Sequence, residues 1–179
     1  YKLICEGGNE EYGPRFNDTD AVADSGTLSE DECYAVANEV NQLFVDTIRG
    51  LGGNNAQRFL LIPGINTNID QTIDNRFKMP KDSASSKLFV SVHYYDPSPF
   101  CIGSADLWGT QNDIGTQNST LEKMLKFTDA GYGVIIGEYG ALPVDGEFKT
   151  STIVWTQNVL DNCDLNNFVP VLWDQNGFY

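Results

Sequence analysis

The sequence has few of the features that would assign a function at once. It holds a single histidine, His93, and none of its cysteines forms a Cys-x-x-Cys pair, so a zinc site is not expected. Lysine and arginine number 11 against 25 aspartates and glutamates, and the net charge of −14 disfavours nucleic acid and anionic membranes as partners. No apolar run approaches the ~20 residues that cross a bilayer. This negative charge is compatible with an uncharged substrate, and it is equally compatible with a role in solubility alone.

The length and composition fit one globular domain or a large piece of one, with 179 residues of which 41% are hydrophobic. Tyr1 is not a natural start, so we expect the chain to follow a processed segment or to lie inside a longer protein. Four cysteines permit three pairings, among which the sequence does not choose, and Cys5 fits a buried free thiol.

Short apolar runs alternate with helical patterns along the chain. The clearest strand, Val134 to Glu138, lies between Gly133 and Gly140 and ends in a lone carboxylate. This alternation predicts right-handed βαβ units and a parallel sheet in the α/β class. Predicted strands are residues 3–5, 59–63, 88–95, 134–138 and 169–173; predicted helices are 30–49, 68–75, 120–130 and 150–160; predicted loops are 12–28 and 96–118.

Two helix starts carry a capping-box pattern, in which a serine and a glutamate three residues later satisfy each other's backbone N–H groups. They are Ser29 with Glu32, and Ser119 with Glu122. Five strands fall short of a complete (β/α)8 TIM barrel, which needs ~250 residues. We therefore expect residues 1–179 to be a single partial domain whose early strands and last helix are absent from this chain.

Polar side chains follow the predicted strands at their carboxyl ends, which converge on one rim in a barrel. Glu10 follows the first strand and Glu138 the fourth, while His93 and Tyr95 share one face of the third. Two carboxylates at one cleft are what glycoside cleavage requires, one as acid and the other as nucleophile. Trp173, at the end of the fifth strand, would offer a flat surface for a sugar ring.

Four motifs in order resemble glycoside hydrolase family 5, the cellulase family of (β/α)8 barrels. Glu6-Gly7-Gly8-Asn9-Glu10 is similar to its Asn-Glu motif at strand 4, and His93-Tyr94-Tyr95 to its His-x-Tyr motif at strand 6. Ile136-Gly137-Glu138-Tyr139-Gly140 resembles its nucleophile motif at strand 7, and Trp173 its strand 8 tryptophan. Further stretches similar to the endoglucanase and xyloglucanase branch are residues 41–70, 90–97 and 108–109.

The resemblance implies a secreted, retaining endo-β-1,4-glucanase whose barrel receives strands 4 to 8 from this chain. It assigns Glu10 as acid/base and Glu138 as nucleophile, with their carboxyl groups ~5–5.5 Å apart. Asn9 would bind the sugar 2-hydroxyl, and Trp108 is either a sugar platform or a loop anchor. No metal or cofactor is implied, and the expected partners are β-glucan and a companion piece that completes the barrel.

Two departures from the family pattern accompany the resemblance. Glu11 stands where the family usually has proline, and Gln175 interrupts the Trp-Asp-Asn-Gly end. The early strands, which supply an arginine and a histidine in the family, are also absent. The alternatives are a xyloglucanase, a lichenase or a β-mannanase of the same family, or a fragment that binds glucan without catalysis or is inert.

Overall fold

The computed structural model describes residues 3–11 and 28–174. Among these residues, five strands form one parallel sheet, and each strand pairs with its neighbour in the chain, in the order β1-β2-β3-β4-β5. This arrangement is the predicted α/β fold, a part of a (β/α)8 barrel. The elements are β1 (Cys5–Glu6), α1 (Glu30–Gly50), β2 (Leu60–Pro63), α2 (Ile69–Ile73), β3 (Leu88–Tyr94), α3 (Ser98–Cys101), α4 (Gln111–Glu122), α5 (Leu125–Thr128), β4 (Gly133–Tyr139), α6 (Thr152–Asn166) and β5 (Val169–Leu172).

Helix α1 begins where its capping box predicts. The Ser29 hydroxyl accepts a bond from the Glu32 backbone N–H, and the Glu32 carboxylate accepts one from the Ser29 N–H at 2.8 Å. At the other end, Arg49 forms two hydrogen bonds of 2.7–2.8 Å with the Asp82 carboxylate, and both side chains are under one-tenth exposed. This ion pair attaches the end of α1 to the segment that leads into β3.

The second predicted capping box is wrong. Helix α4 begins at Thr110, whose hydroxyl caps the Asp113 N–H while Asp113 accepts from the Thr110 N–H, so Ser119 lies inside the helix. Residues 98–101 and 111–118 are therefore helical rather than part of one long loop. The sequence of α4 lacks the apolar pattern of a packed helix, because its contact with α6 is made by polar side chains. Gln117 and Asn118 face α6 and accept hydrogen bonds from Asn158.

The remaining elements match their predicted places apart from their ends, except that the predicted helix 120–130 is divided: residues 120–122 end α4, and Leu125–Thr128 form α5. Strand β1 covers Cys5–Glu6 rather than residues 3–5, and α6 continues to Asn166, where Asn167 ends it in a left-handed conformation. The predicted loop 12–28 lies almost entirely outside the described residues, as does Gln175. The four cysteines are all free. Within the described part of the chain, no helix is long and apolar enough to cross a membrane.

The two faces of the sheet have different surroundings. Six side chains that point toward the helices from β2, β3 and β4 are fully buried, namely Leu60, Ile62, Val90, Val92, Val134 and Ile136. On the opposite, inner face, Ile4, Phe59, Val169 and Val171 are 39–53% exposed. Because β-branched and aromatic side chains rarely stay open to water in such a row, this inner face is the surface that the rest of a barrel would cover.

Candidate active site

The carboxyl ends of three strands deliver the polar residues that the sequence singles out. Strand β3 carries His93 and is followed by Tyr95, β4 carries Glu138, and Glu10 lies in the loop four residues after β1. Side chains alternate along a strand, so His93 and Tyr95 share one face while Tyr94 points to the helices and is buried. Parallel strands with aligned ends thus bring these groups to one edge of the sheet.

A one-residue bulge in β4 places Glu138 opposite His93 of β3. Val92 pairs with Ile136, but His93 pairs with Glu138, so Gly137 is the extra residue. The pairing with β5 shows the same offset, since three steps in β4 from Ile136 to Tyr139 match two steps in β5. The bulge turns Glu138 to the face of the sheet that carries His93. Without the bulge, the regular alternation of side chains along β4 would place Glu138 on the opposite face.

Two hydrogen bonds and one close polar contact join the side chains of Glu10, His93, Tyr95 and Glu138. His93 Nδ1 lies 2.7 Å from Glu10 Oε1 and 3.4 Å from Glu138 Oε2. The Tyr95 hydroxyl donates to Glu138 Oε2 at 2.9 Å. Glu10, His93 and Glu138 each contribute one oxygen or nitrogen atom to a set in which all lie within 4.8 Å of one another. We call these three residues the carboxylate–histidine cluster.

The three residues of the cluster differ in their exposure to solvent. The His93 side chain is 6% exposed and that of Glu138 is 23% exposed, whereas Glu10 is 47% exposed. Surrounding side chains therefore hold His93 and much of Glu138 in place, while Glu10 is exposed to the solvent from which a substrate would arrive. Two carboxylates arranged in this way can act as a proton donor and a nucleophile on one bond, and the three ligand atoms can also hold a cation.

Aromatic rings support the cluster from the helix side of the sheet. The Trp155 ring of α6 is fully buried, stacks on Tyr94 at 5.9 Å and lies 6.4 Å from Tyr139. These tyrosines are the chain neighbours of His93 and Glu138, so Trp155 fixes the backbone from which the side chains of His93 and Glu138 extend. Burial raises the pKa of the Tyr94 phenol, which keeps that ring neutral within its apolar surroundings.

The other predicted binding residues fall into two groups. Asn9 is exposed in the loop beside Glu10. Trp173 lies just after β5, where its backbone N–H donates to the Tyr139 carbonyl at 3.0 Å. Trp108 lies elsewhere: it is 8% exposed, its ring is 6.5 Å from Phe100, and it lines a separate pocket of about 350 Å³. The loop-anchor alternative fits this position, and a direct contact between Trp108 and a sugar stays a prediction.

Two features of the site escaped the sequence analysis. The predicted strand 134–138 includes Gly137 as a regular position, although a glycine inside a strand is a common sign of a bulge. Ser91 is fully buried on the face of His93, and its hydroxyl has no hydrogen-bond partner among the described residues. A Cβ atom on Gly137 would lie 2.8 Å from this hydroxyl, so the two small residues fit together beneath the cluster.

Comparison with known proteins gives one family. A family model for cellulase (glycosyl hydrolase family 5) matches residues 1–178. The chain is 32% identical over 203 residues to an endoglucanase A from Paenibacillus barcinonensis, covering 99% of this chain and 48% of the relative. It is 31% identical to a xyloglucan-specific endo-β-1,4-glucanase from Bacteroides ovatus, covering 97% of this chain and 37% of that protein.

Solved structures give the same result for the fold. The structure of a glycoside hydrolase family 5 lichenase variant from Caldicellulosiruptor sp. F32, in complex with cellotetraose, superimposes with a TM-score of 0.83 at 29% identity. The match covers 99% of this chain and 50% of the lichenase. The chain thus spans about half the length, or less, of these relatives.

Proposed function

Because this chain belongs to glycoside hydrolase family 5, we propose that it carries the catalytic glutamates of a retaining endo-β-1,4-glucanase. The xyloglucan-specific relative and the lichenase act on β-glucans according to their names, which supports a β-glucan as the substrate class. Within that class we propose unsubstituted or mixed-linkage glucan as the main substrate. Such polymers do not cross membranes, so we also propose that the protein acts outside the cell.

The observation that carries this proposal is the short distance between the two carboxylates. One oxygen of Glu10 and one of Glu138 lie within 4.8 Å of each other. Retaining glycosidases hold their carboxyl groups about 5–5.5 Å apart, whereas inverting enzymes need about 6.5–9.5 Å to admit a water molecule. Carboxyl groups with oxygen atoms within 4.8 Å of each other leave little room for a water molecule between them, which supports attack by a carboxylate rather than by water in the first step.

In the first proposed step, Glu138 attacks the anomeric carbon and forms a glycosyl–enzyme ester, while Glu10 gives its proton to the departing glycosidic oxygen. In the second step, Glu10 removes a proton from water, the water oxygen bonds to the anomeric carbon, and the ester bond to Glu138 breaks. The Tyr95 hydroxyl, 2.9 Å from Glu138 Oε2, orients the nucleophile. His93 bonds Glu10 at 2.7 Å and so fixes the acid relative to the nucleophile.

Substrate contacts follow from the positions around the cluster. Asn9 lies next to Glu10 and is proposed to bind the 2-hydroxyl of the reacting sugar. Trp173, beyond the end of β5, is proposed to stack on a sugar ring, since an indole offers the apolar surface that the C–H face of glucose needs.

We further propose that strands outside this chain complete the barrel. The exposed inner-face side chains, such as Phe59 and Val171, support this, as does the half-length coverage of the relatives. A complete barrel would add the remaining rim loops, which contribute further substrate contacts. Activity is therefore assigned to the whole protein that contains these residues.

The test is hydrolysis by that whole protein. We expect release of reducing ends from carboxymethylcellulose and barley β-glucan, with the first product formed as the β-anomer in a proton NMR time course. Glu138→Gln should lose at least about 1,000-fold in kcat, since it removes the nucleophile. Glu122→Gln, which changes the same functional group at the end of α4, is the matched control and should keep full activity.

Other outcomes would redirect the proposal. Preferred cleavage of xyloglucan or mannan would keep the mechanism and change the substrate. An initial α-anomer would refute the retaining mechanism. Binding of glucan without release of reducing ends, by a folded protein, would refute the enzymatic role and leave a glucan-binding domain.

A further inference from the structure

The carboxylate–histidine cluster combines three potential metal ligands. Glu10, His93 and Glu138 come from three separate strand ends, and one oxygen or nitrogen atom of each lies within 4.8 Å of those of the other two. Among the described residues, this is the one group of three or more histidine, cysteine or carboxylate side chains that meets this distance. Although the single histidine argued against a zinc site in the sequence, the fold supplies the carboxylates that the sequence keeps far apart.

We propose that the cluster binds a late first-row divalent cation such as Zn²⁺, and that this cation is a reversible inhibitor of the proposed glucanase. The inhibitory part rests on the proposed function, while the binding part rests on geometry alone. One imidazole nitrogen and two carboxylate oxygens form a ligand set that Zn²⁺ accepts, whereas Mg²⁺ and Ca²⁺ prefer more oxygen ligands.

The distances suit this ion. Two bonds of about 2.1 Å at the tetrahedral angle place neighbouring ligands about 3.4 Å apart. His93 Nδ1 and Glu138 Oε2 already have a separation of 3.4 Å. The 2.7 Å contact between His93 Nδ1 and Glu10 Oε1 must lengthen by about 0.7 Å to reach the same value. The cation then takes the place of the hydrogen atom between these two residues, and that proton is released to solvent.

The surroundings allow the ligands to form the site. His93 is almost fully buried, which keeps its ring fixed, and Tyr95 holds the same Glu138 oxygen from the side. Glu10 is 47% exposed, so its side chain can adjust and the cation can enter from solvent. A bound cation would engage an oxygen of each proposed catalytic glutamate, and substrate and cation would therefore exclude each other.

The experiment is an isothermal titration of the whole protein with ZnCl₂, followed by a Co²⁺ absorption spectrum. We expect one equivalent to bind, at least tenfold more weakly in Glu138→Gln and in His93→Asn, and with unchanged affinity in Glu122→Gln. The Co²⁺ spectrum should lack the thiolate charge-transfer band, which separates this site from any of the four free cysteines. Mg²⁺ in place of Zn²⁺ should produce no heat of binding at the same concentration.

Two results would overturn the proposal. One is an unchanged Zn²⁺ affinity in both cluster variants while circular dichroism shows them folded. The other is a thiolate band, which would move the ion to a cysteine. In the active protein, Zn²⁺ should raise the apparent KM for cello-oligosaccharides and leave kcat unchanged. If no glucanase activity exists, the proposed function fails, but the titration still decides whether the cluster binds the cation.

Discussion

Gly137→Ala tests whether the bulge beneath Glu138 depends on the close fit with Ser91. The added Cβ would lie 2.8 Å from Ser91 Oγ, which is about 0.7 Å shorter than an ordinary contact of about 3.5 Å. Ser91 is fully buried, so either its hydroxyl turns toward other packed atoms or β3 and β4 separate. Overpacking of this kind costs about 1–3 kcal/mol of unfolding free energy. A shift of about 1 Å in Glu138 would reduce kcat about 100-fold.

A second substitution should reverse both effects. Ser91→Ala removes the hydroxyl, after which the nearest atom to the new methyl group is His93 Cδ2, at an ordinary 3.5 Å. Ser91→Ala alone should be neutral or stabilise the protein by about 1 kcal/mol, because the Ser91 hydroxyl is buried without a partner among the described residues. The double variant Gly137→Ala/Ser91→Ala should therefore regain most of the stability and most of the kcat.

Urea unfolding followed by circular dichroism, with kcat measured on barley β-glucan, checks this reasoning. Gly115→Ala in α4 is the matched control, since its Cβ meets no atom within 4 Å, and it should stabilise the protein by about 0.5–1 kcal/mol. Wild-type stability in Gly137→Ala would refute the steric argument. Failure of Ser91→Ala to restore the double variant would show that some other contact fixes the bulge.

Three further predictions concern the supports of the site. Tyr95→Phe removes the 2.9 Å bond to Glu138 and should lower kcat about 10–100-fold with little change in KM, as steady-state kinetics will show; an equal rise in KM would instead indicate a substrate contact. Trp155→Ala should cost about 3–5 kcal/mol in urea unfolding, because it empties a fully buried site, and a loss below about 1 kcal/mol would contradict this packing role. Burial alone would raise the pKa of Asp82, but the hydrogen bonds to its carboxylate, above all those from Arg49, outweigh burial and lower the pKa. The stability that ionised Asp82 adds is therefore complete above the ordinary pKa of about 3.9, and it is lost as pH falls through the lower pKa of the folded state. The gap in unfolding free energy between wild type and Asp82→Asn should therefore be about 3 kcal/mol at pH 7 and shrink below about pH 4, and a gap independent of pH would refute the charge argument.

Local sequence patterns predicted most of the elements because their signals lie within a few residues. The Ser29–Glu32 capping box predicted the beginning of α1 correctly, and the apolar run before Glu138 predicted β4. Helix α4 was misjudged for the opposite reason. Its polar side chains Gln117 and Asn118 are satisfied by Asn158 of α6, a contact 40 or 41 residues away that no local pattern contains.

The sequence by itself determined which residues carry chemistry and the order of the strands that carry them. Alternating apolar runs and helix signals require a parallel sheet, and such a sheet places Glu10, His93 and Glu138 at one edge. Only the tertiary structure decided how these groups face one another. The bulge at Gly137 depends on strand pairing and on Ser91 of the neighbouring strand. Tertiary packing also buried Trp108 away from the cluster, because a side chain in a loop goes where the surrounding elements leave room.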